Sequence, residues 1–199
     1  MFGSTNPEIH LEAALGAVRS GDGFRTTLDA LPVPTYMTDP EGAVTYWNSA
    51  CVAFAGREPQ LGEDRWCVTW QLYTTDGEHL PHDRCPMAVA VKERRPVRNE
   101  VAIALRPDGT RSAFVPYPTP LFDDDGTFLG AINLLIDVSA EQADALCDQA
   151  SRCRRLAQAT HDRQASTVLA TMAAEYDDTA AALRSQHDDP VLRITPISE

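Results

Sequence analysis

Apolar positions recur at helical spacing towards both ends of the chain and at strand-like spacing between them. Ile9, Leu11, Ala14, Leu15 and Val18 predict a helix over 7–19, which Gly21-Asp22-Gly23 stops. A second short helix, Phe24 to Leu31, leads into Pro32-Val33-Pro34. The texture then changes. Thr35–Thr38 and Ala43–Trp47 are rich in β-formers and joined by the turn Asp39-Pro40-Glu41-Gly42, which predicts two paired strands. Asn48 stands where its side chain can cap a helix over Ser49–Ala55.

Residues 56–84 read as irregular, broken by Pro59, Gly62, Gly77 and Pro81. Pro86–Glu93 predicts a short helix with proline in its first turn. Strands follow over Glu100–Leu105, Arg111–Pro116 (extending towards Leu121) and Thr127–Asp137. Their connections, Arg106-Pro107-Asp108-Gly109 and Asp123-Asp124-Asp125-Gly126, are hairpin signals. The nearly unbroken apolar run Ala131–Ile136 marks its strand as central and covered on one face by helices. Ser139 can cap a helix carrying Ala143, Leu146, Ala150, Cys153 and Ala157 on one seam. After the turn Thr160–Arg163, the positions Leu169, Met172, Tyr176, Ala180 and Leu183 repeat that spacing. Two such helices predict an antiparallel hairpin, packed on the sheet domain or on a second copy. The division expected is an N-terminal helical segment 1–23, a sheet domain 24–138, a helical hairpin 139–188 and a loose tail 189–199.

Charge narrows the partners. Seventeen basic and 29 acidic residues leave a net charge of −12, which repels phosphate backbones and anionic lipid and disfavours nucleic-acid or membrane roles. The cationic cluster Arg152, Arg154 and Arg155 spreads around a helix and reads as a solvated face. No apolar run approaches the roughly 20 residues that cross a bilayer, and Met1–His10 lacks a secretory pattern. A cytoplasmic protein is expected. Its five cysteines have no regular spacing and read as thiols rather than a disulfide framework; Cys147 and Cys153 lie too far apart on one helix to bridge.

The order strand–strand–helices–three strands, closed by Asp137 and a helix, resembles the PAS sensor superfamily. The residues carrying the likeness are Leu28-Asp29-Ala30-Leu31, Thr38–Gly42, Tyr46–Ala50, Arg106–Thr110, and Asp125-Gly126 through Gly130-Ala131 to Asp137-Val138-Ser139. Each motif is also an ordinary turn or cap; their order over Phe24–Ser139 makes the match specific. The segments Leu80–Met87 and Pro116–Leu121 look like a subgroup of bacterial signalling PAS domains. The resemblance implies an α+β fold: a five-stranded antiparallel sheet with flanking short helices and a small pocket. It further implies that a pocket event is passed through Asp137 into the outgoing helix, although Asp137 also reads as a simple helix-start residue.

Candidate chemistry is sparse. His79, His82 and Cys85 form H-x-x-H-x-x-C, whose imidazoles and thiol suit zinc or haem iron, but a closed zinc site needs a fourth ligand from Cys67 or Asp83. Buried or capping roles for these three are the more economical reading. Trp66, Trp70 and Tyr117 can line a ligand pocket, with Asn133 as a polar contact from the central strand; an aromatic core with a satisfied amide is the favoured reading. The Asn-Cys-Arg-Phe-Leu-Gln signature of light-sensing PAS domains is absent. So are phosphate-binding glycine loops and a nucleophile elbow, so no enzyme is expected. His161 invites comparison with a phosphorylated histidine but sits at a turn, and Asp123–Asp125 reads as a solvated hairpin tip. The sequence therefore predicts a non-enzymatic signalling module that homodimerises through its flanking helices. No output domain follows, so a separate partner protein is expected to receive the signal. The alternative is a haem- or metal-dependent gas or redox sensor using His82 or Cys85.

Overall fold

A computed structural model of the protein describes residues 7–21, 23–160 and 162–185; His161 and the tail 189–199 lie outside them. The described residues divide into two compact units, one within 7–109 and 114–137, the other within 110–113 and 138–185.

The first unit is built on an antiparallel sheet whose strands are β1 (Thr35–Thr38), β2 (Val44–Trp47), β3 (Gln71–Tyr73), β4 (Ala102–Leu105), β5 (Arg111–Pro116), β6 (Thr119–Phe122) and β7 (Phe128–Asp137). Their order is β2-β1-β7-β5-β4-β3, and β6 also pairs with β7. The α+β fold expected from the sequence is present, with seven strands rather than five. One extra strand, β3, falls in the stretch read as irregular. It has only three residues, paired with Ile103–Leu105, too few to display a period of two. The other arises because β5 and β6 share one edge of β7, at Leu135–Asp137 and Phe128–Ile132 respectively. Pro116, Pro118 and Pro120 interrupt that edge, and a proline cannot donate to a ladder.

β7 divides the core because successive side chains point to opposite faces. Ile132 and Leu134 join Leu11 and Ala14 of α1 (Pro7–Ser20) and Leu28 of α2 (Phe24–Asp29) in an outer core. Ala131 and Leu135 join Tyr36, Phe54 of α3 (Ser49–Ala55), and Met87, Ala88 and Val91 of α4 (Pro86–Glu93) in an inner core. Here Phe54 and Phe114 pack edge to face, their ring centres 5.2 Å apart. A register shift between β1 and β2 lets Val44 serve the inner core and Tyr46 the outer one.

Asn48 corrects the sequence reading. It precedes α3 but makes no side-chain cap. Its Oδ1 accepts from Thr35 N at 3.0 Å, while Nδ2 donates to Leu28 O, Leu31 O and Val33 O at 3.1, 3.3 and 3.0 Å. It therefore fastens the α2–β1 connection, whose proline-rich backbone has carbonyls to satisfy.

The second unit contains α5 (Ser139–Ala159) and α6 (Arg163–Ser185). Ser166 Oγ donates to Ala157 O at 2.9 Å and Arg154 pairs with Asp177, so the helices run antiparallel as predicted. The buried positions are Ala143, Leu146 and Ala150 against Ala173, Ala180 and Leu183; Met172, assigned to the seam from its spacing, is exposed. Ser139 does not cap the helix either. It is the first residue of α5, and its Oγ accepts from Ala113 N at 3.0 Å. No helix among the described residues is long and apolar enough to cross a membrane.

Candidate functional site

Antiparallel pairing sets Tyr36 of β1 directly opposite Asn133 of β7, and both residues are sealed from solvent on the inner side of the sheet. An amide in such a place must find partners, because an unpaired buried polar group costs about 1–3 kcal/mol. Asn133 Oδ1 accepts from Tyr117 N at 2.9 Å, and its Nδ2 donates to Tyr36 Oη at 3.0 Å. Tyr36 Oη in turn donates to Trp66 O at 2.9 Å. The Cys85 thiol points to the same carbonyl at a sulfur–oxygen distance of 3.8 Å, and Cys67 Sγ lies 3.1 Å from Thr69 Oγ1. A relay of hydrogen bonds thus crosses the inner core from β7 through β1 to the loop at residue 66.

The relay is uncharged at neutral pH. Burial pushes the Cys85 thiol up to about 12 and raises that of Cys67. The Tyr36 phenol lies well above its ordinary value, chiefly through burial and then through the neighbouring thiols. Such groups are poor nucleophiles. What they offer is a hydrogen-bond pattern that a bound polar group or a shift of the loop can rearrange.

Trp66 anchors the far end in an unusual conformation. Its φ is 68°, in the left-handed region that side chains seldom adopt. Trp66 N donates to Gly42 O at 2.8 Å, and its ring lies so near Gly42 that a Cβ there would come within 2.2 Å of it. Arg65 and Lys92 stand over the indole at 5.7 and 5.2 Å. Left-handed backbone in a bulky residue costs about 1–3 kcal/mol and persists where surrounding contacts impose it.

The other residues singled out from the sequence scatter. Trp70 is 47% exposed and lies outside the inner core. Tyr117 packs against the outer core and contributes only its backbone N–H to Asn133, so the three aromatics do not share a pocket wall. The ligand triplet is not assembled either. His79 packs edge-on against Tyr73, and Cys85 is buried beside Trp66 O. His82 lies on a 3-10 turn near the Arg57–Asp64 ion pair, with Nε2 buried and unpaired among the described residues. Among those residues no three His, Cys, Asp or Glu side chains gather as for a metal ion. Asp137 ends β7 opposite Phe114. Asp123 turns its carboxylate on its own hairpin, accepting from Asp125 N and Thr127 N at 3.1 and 2.7 Å.

Sequence reasoning missed Tyr36, and considered Cys67 only as a possible fourth zinc ligand. Tyr36 lies in a predicted strand, but nothing in the sequence paired that strand with the one carrying Asn133. Nothing in the spacing of Cys67 pointed to its contact with Thr69.

No curated protein matches the chain. Among solved structures it is similar to the Rhodobacter sphaeroides LOV protein, at 12% identity and a TM-score of 0.43, covering 92% of this chain and 98% of that one. It is also similar to the PAS domain of the fruit-fly ELK potassium channel, at 12% identity and a TM-score of 0.47, covering 59% and 95%. An RNA-binding light-oxygen-voltage receptor aligns at 17% identity and a TM-score of 0.46, covering 87% of this chain and 40% of that one. The family model for the PAS fold matches residues 28–143. By that match the chain belongs to the PAS-fold family.

Proposed function

We propose that this protein is a signal-sensing regulatory module that works by binding rather than by catalysis, with the Tyr36–Asn133 relay as its sensing element. The observation that carries this reading is the position of Asn133. It lies on β7, and only Val138 separates that strand from α5. A ligand or loop movement that takes over the Tyr36 hydroxyl frees the Asn133 amide and disturbs β7 close to its exit. The flanking helices then offer the surface through which a homodimer or a separate signalling partner responds. A packed, protonated relay with no nucleophile–base pair supports binding over reaction.

Hydrogen exchange tests the transmission step. Tyr36→Phe is expected to change protection within 139–159 as well as around Asn133; a change confined to β1 and β7 sinks the sensing role. An ultraviolet–visible spectrum with metal analysis decides between this reading and a haem or metal sensor. A Soret band, or stoichiometric metal lost in Cys85→Ala or His82→Ala, would replace the first by the second.

A further inference from the structure

A groove of about 310 Å³ opens between α4 and the chain from Arg95 to Ala102, and none of the relay residues lines it. Its wall is apolar, with Leu80, Val89, Val97 and Val101. Its polar lining is dominated by Arg84, Arg95 and Arg98, opposed by Glu100. The charge is out of keeping with the rest of the molecule. The lining holds three arginines against the one carboxylate of Glu100, a net +2 in a chain of −12. Field from such a patch concentrates anions locally.

The three arginines differ in what they have left to give. Arg98 is pinned. Its Nη1 donates to Val97 O and Pro118 O at 2.8 and 2.9 Å, its Nη2 donates to Thr119 Oγ1 at 2.8 Å, and its guanidinium stacks on Tyr117. It supplies fixed positive charge, with Glu8 its acidic neighbour. Arg95 spends Nε on Glu93 at 2.6 Å in a pair more than half exposed, a weak contact that a better-placed anion displaces. Arg84 is exposed and has no ionic partner among the described residues. Two available guanidiniums beside an apolar wall match a ligand with both a charged head and a hydrocarbon body. The volume lies within the usual range for small-molecule sites.

We propose that this groove binds a small organic oxyanion, a carboxylate or phosphate monoester on an apolar body, with Arg84 and Arg95 clamping the head. Bidentate guanidinium–oxyanion contacts are the strong, geometrically selective kind. This site is independent of the relay and of the sensing role proposed for it.

Titration calorimetry on the full chain tests it with octanoate and octyl phosphate, each kept below its micellar concentration. Saturable one-to-one binding is expected from at least one, the better head group identifying the class. The double substitution Arg84→Ala with Arg95→Ala is expected to weaken it at least about tenfold, with an unchanged circular dichroism spectrum. Arg84→Lys with Arg95→Lys should recover part of the loss, and Arg155→Ala, on the exposed surface of α5, should bind as the unaltered protein does. Octanol and inorganic phosphate, each lacking one half of the ligand, should bind at least tenfold more weakly. The proposal is overturned if neither amphiphile saturates, if the double alanine variant binds equally well, or if octanol or inorganic phosphate matches them.

Discussion

Two asparagines, Asn48 and Asn133, are each only 1% exposed, yet they are held in different ways. Every partner of Asn48 is a backbone group. Its geometry is fixed once α2 and β1 are in place, and nothing short of unfolding that corner releases it. Asn133 has one backbone partner and one side-chain partner, and the latter is a phenol that can rotate or find another acceptor. A buried amide tied to main chain is a fastener; one tied to a rotatable hydroxyl is adjustable. Residue type and burial do not distinguish the two.

The contrast requires that both surroundings be dry. Cys51 reports on the first, since its thiol donates to Thr35 O at 3.4 Å, and Cys67 and Cys85 report on the second. With Cys51 and Cys85 each pushed up to about 12 by burial, and Cys67 also raised, alkylation by iodoacetamide at pH 8 should be far slower at these three buried thiols than at the half-buried Cys147 and Cys153. Peptide mass spectrometry reads the rates. Comparable labelling of Cys67 or Cys85 would mean that water reaches the relay.

Asn48→Ala should cost about 3 kcal/mol in urea unfolding, because several buried backbone groups lose their partner together. A loss below about 1 kcal/mol would show that the corner is held by something else. Asn133→Ala should cost less, about 2 kcal/mol, and should couple to Tyr36→Phe by about 1 kcal/mol in a double-mutant cycle. No comparable coupling is expected between Asn48→Ala and Tyr36→Phe. Equal couplings would erase the distinction.

The smallest effect belongs to His82, where burial lowers the imidazole pKa in the folded protein. The unfolded chain then takes up a proton near pH 6.5 while the folded one resists. Stability relative to His82→Gln should therefore be highest above pH 6.5 and decline as the pH falls through that value, levelling off below the folded-state pKa. Parallel urea curves at pH 7.5 and 5.5 measure it. A His82 that instead gains stability on acidification would have to be paired with Asp64 as a cation.

Periodicity and turn chemistry made most of the fold legible. Strands β1, β5 and β7 and helices α3 and α4 fall within a residue or so of their expected bounds, since each is bracketed by proline, glycine or aspartate with a local conformational role. The site was less legible. Asn133 stood out as a lone amide in an apolar strand, but its partners come from far along the chain, and tertiary partners leave no trace in spacing. Asn48 and Ser139 look like helix caps locally, yet longer-range backbone groups claim both side chains. Trp70 and Tyr117 were grouped with Trp66 by chemical kind. An aromatic residue fits a core, an outer face or a solvent edge equally well, and only the face on which the backbone sets it decides.

Glycine at position 42 completes the turn between β1 and β2, which its left-handed backbone explains. It has another effect. Because that residue lacks even one side-chain carbon, the indole beyond it can settle flush against the chain, and this depth sets where a main-chain oxygen meets the phenol of Tyr36. The reach of the polar network into the sheet is thus governed by an atom that is missing at a buried turn position.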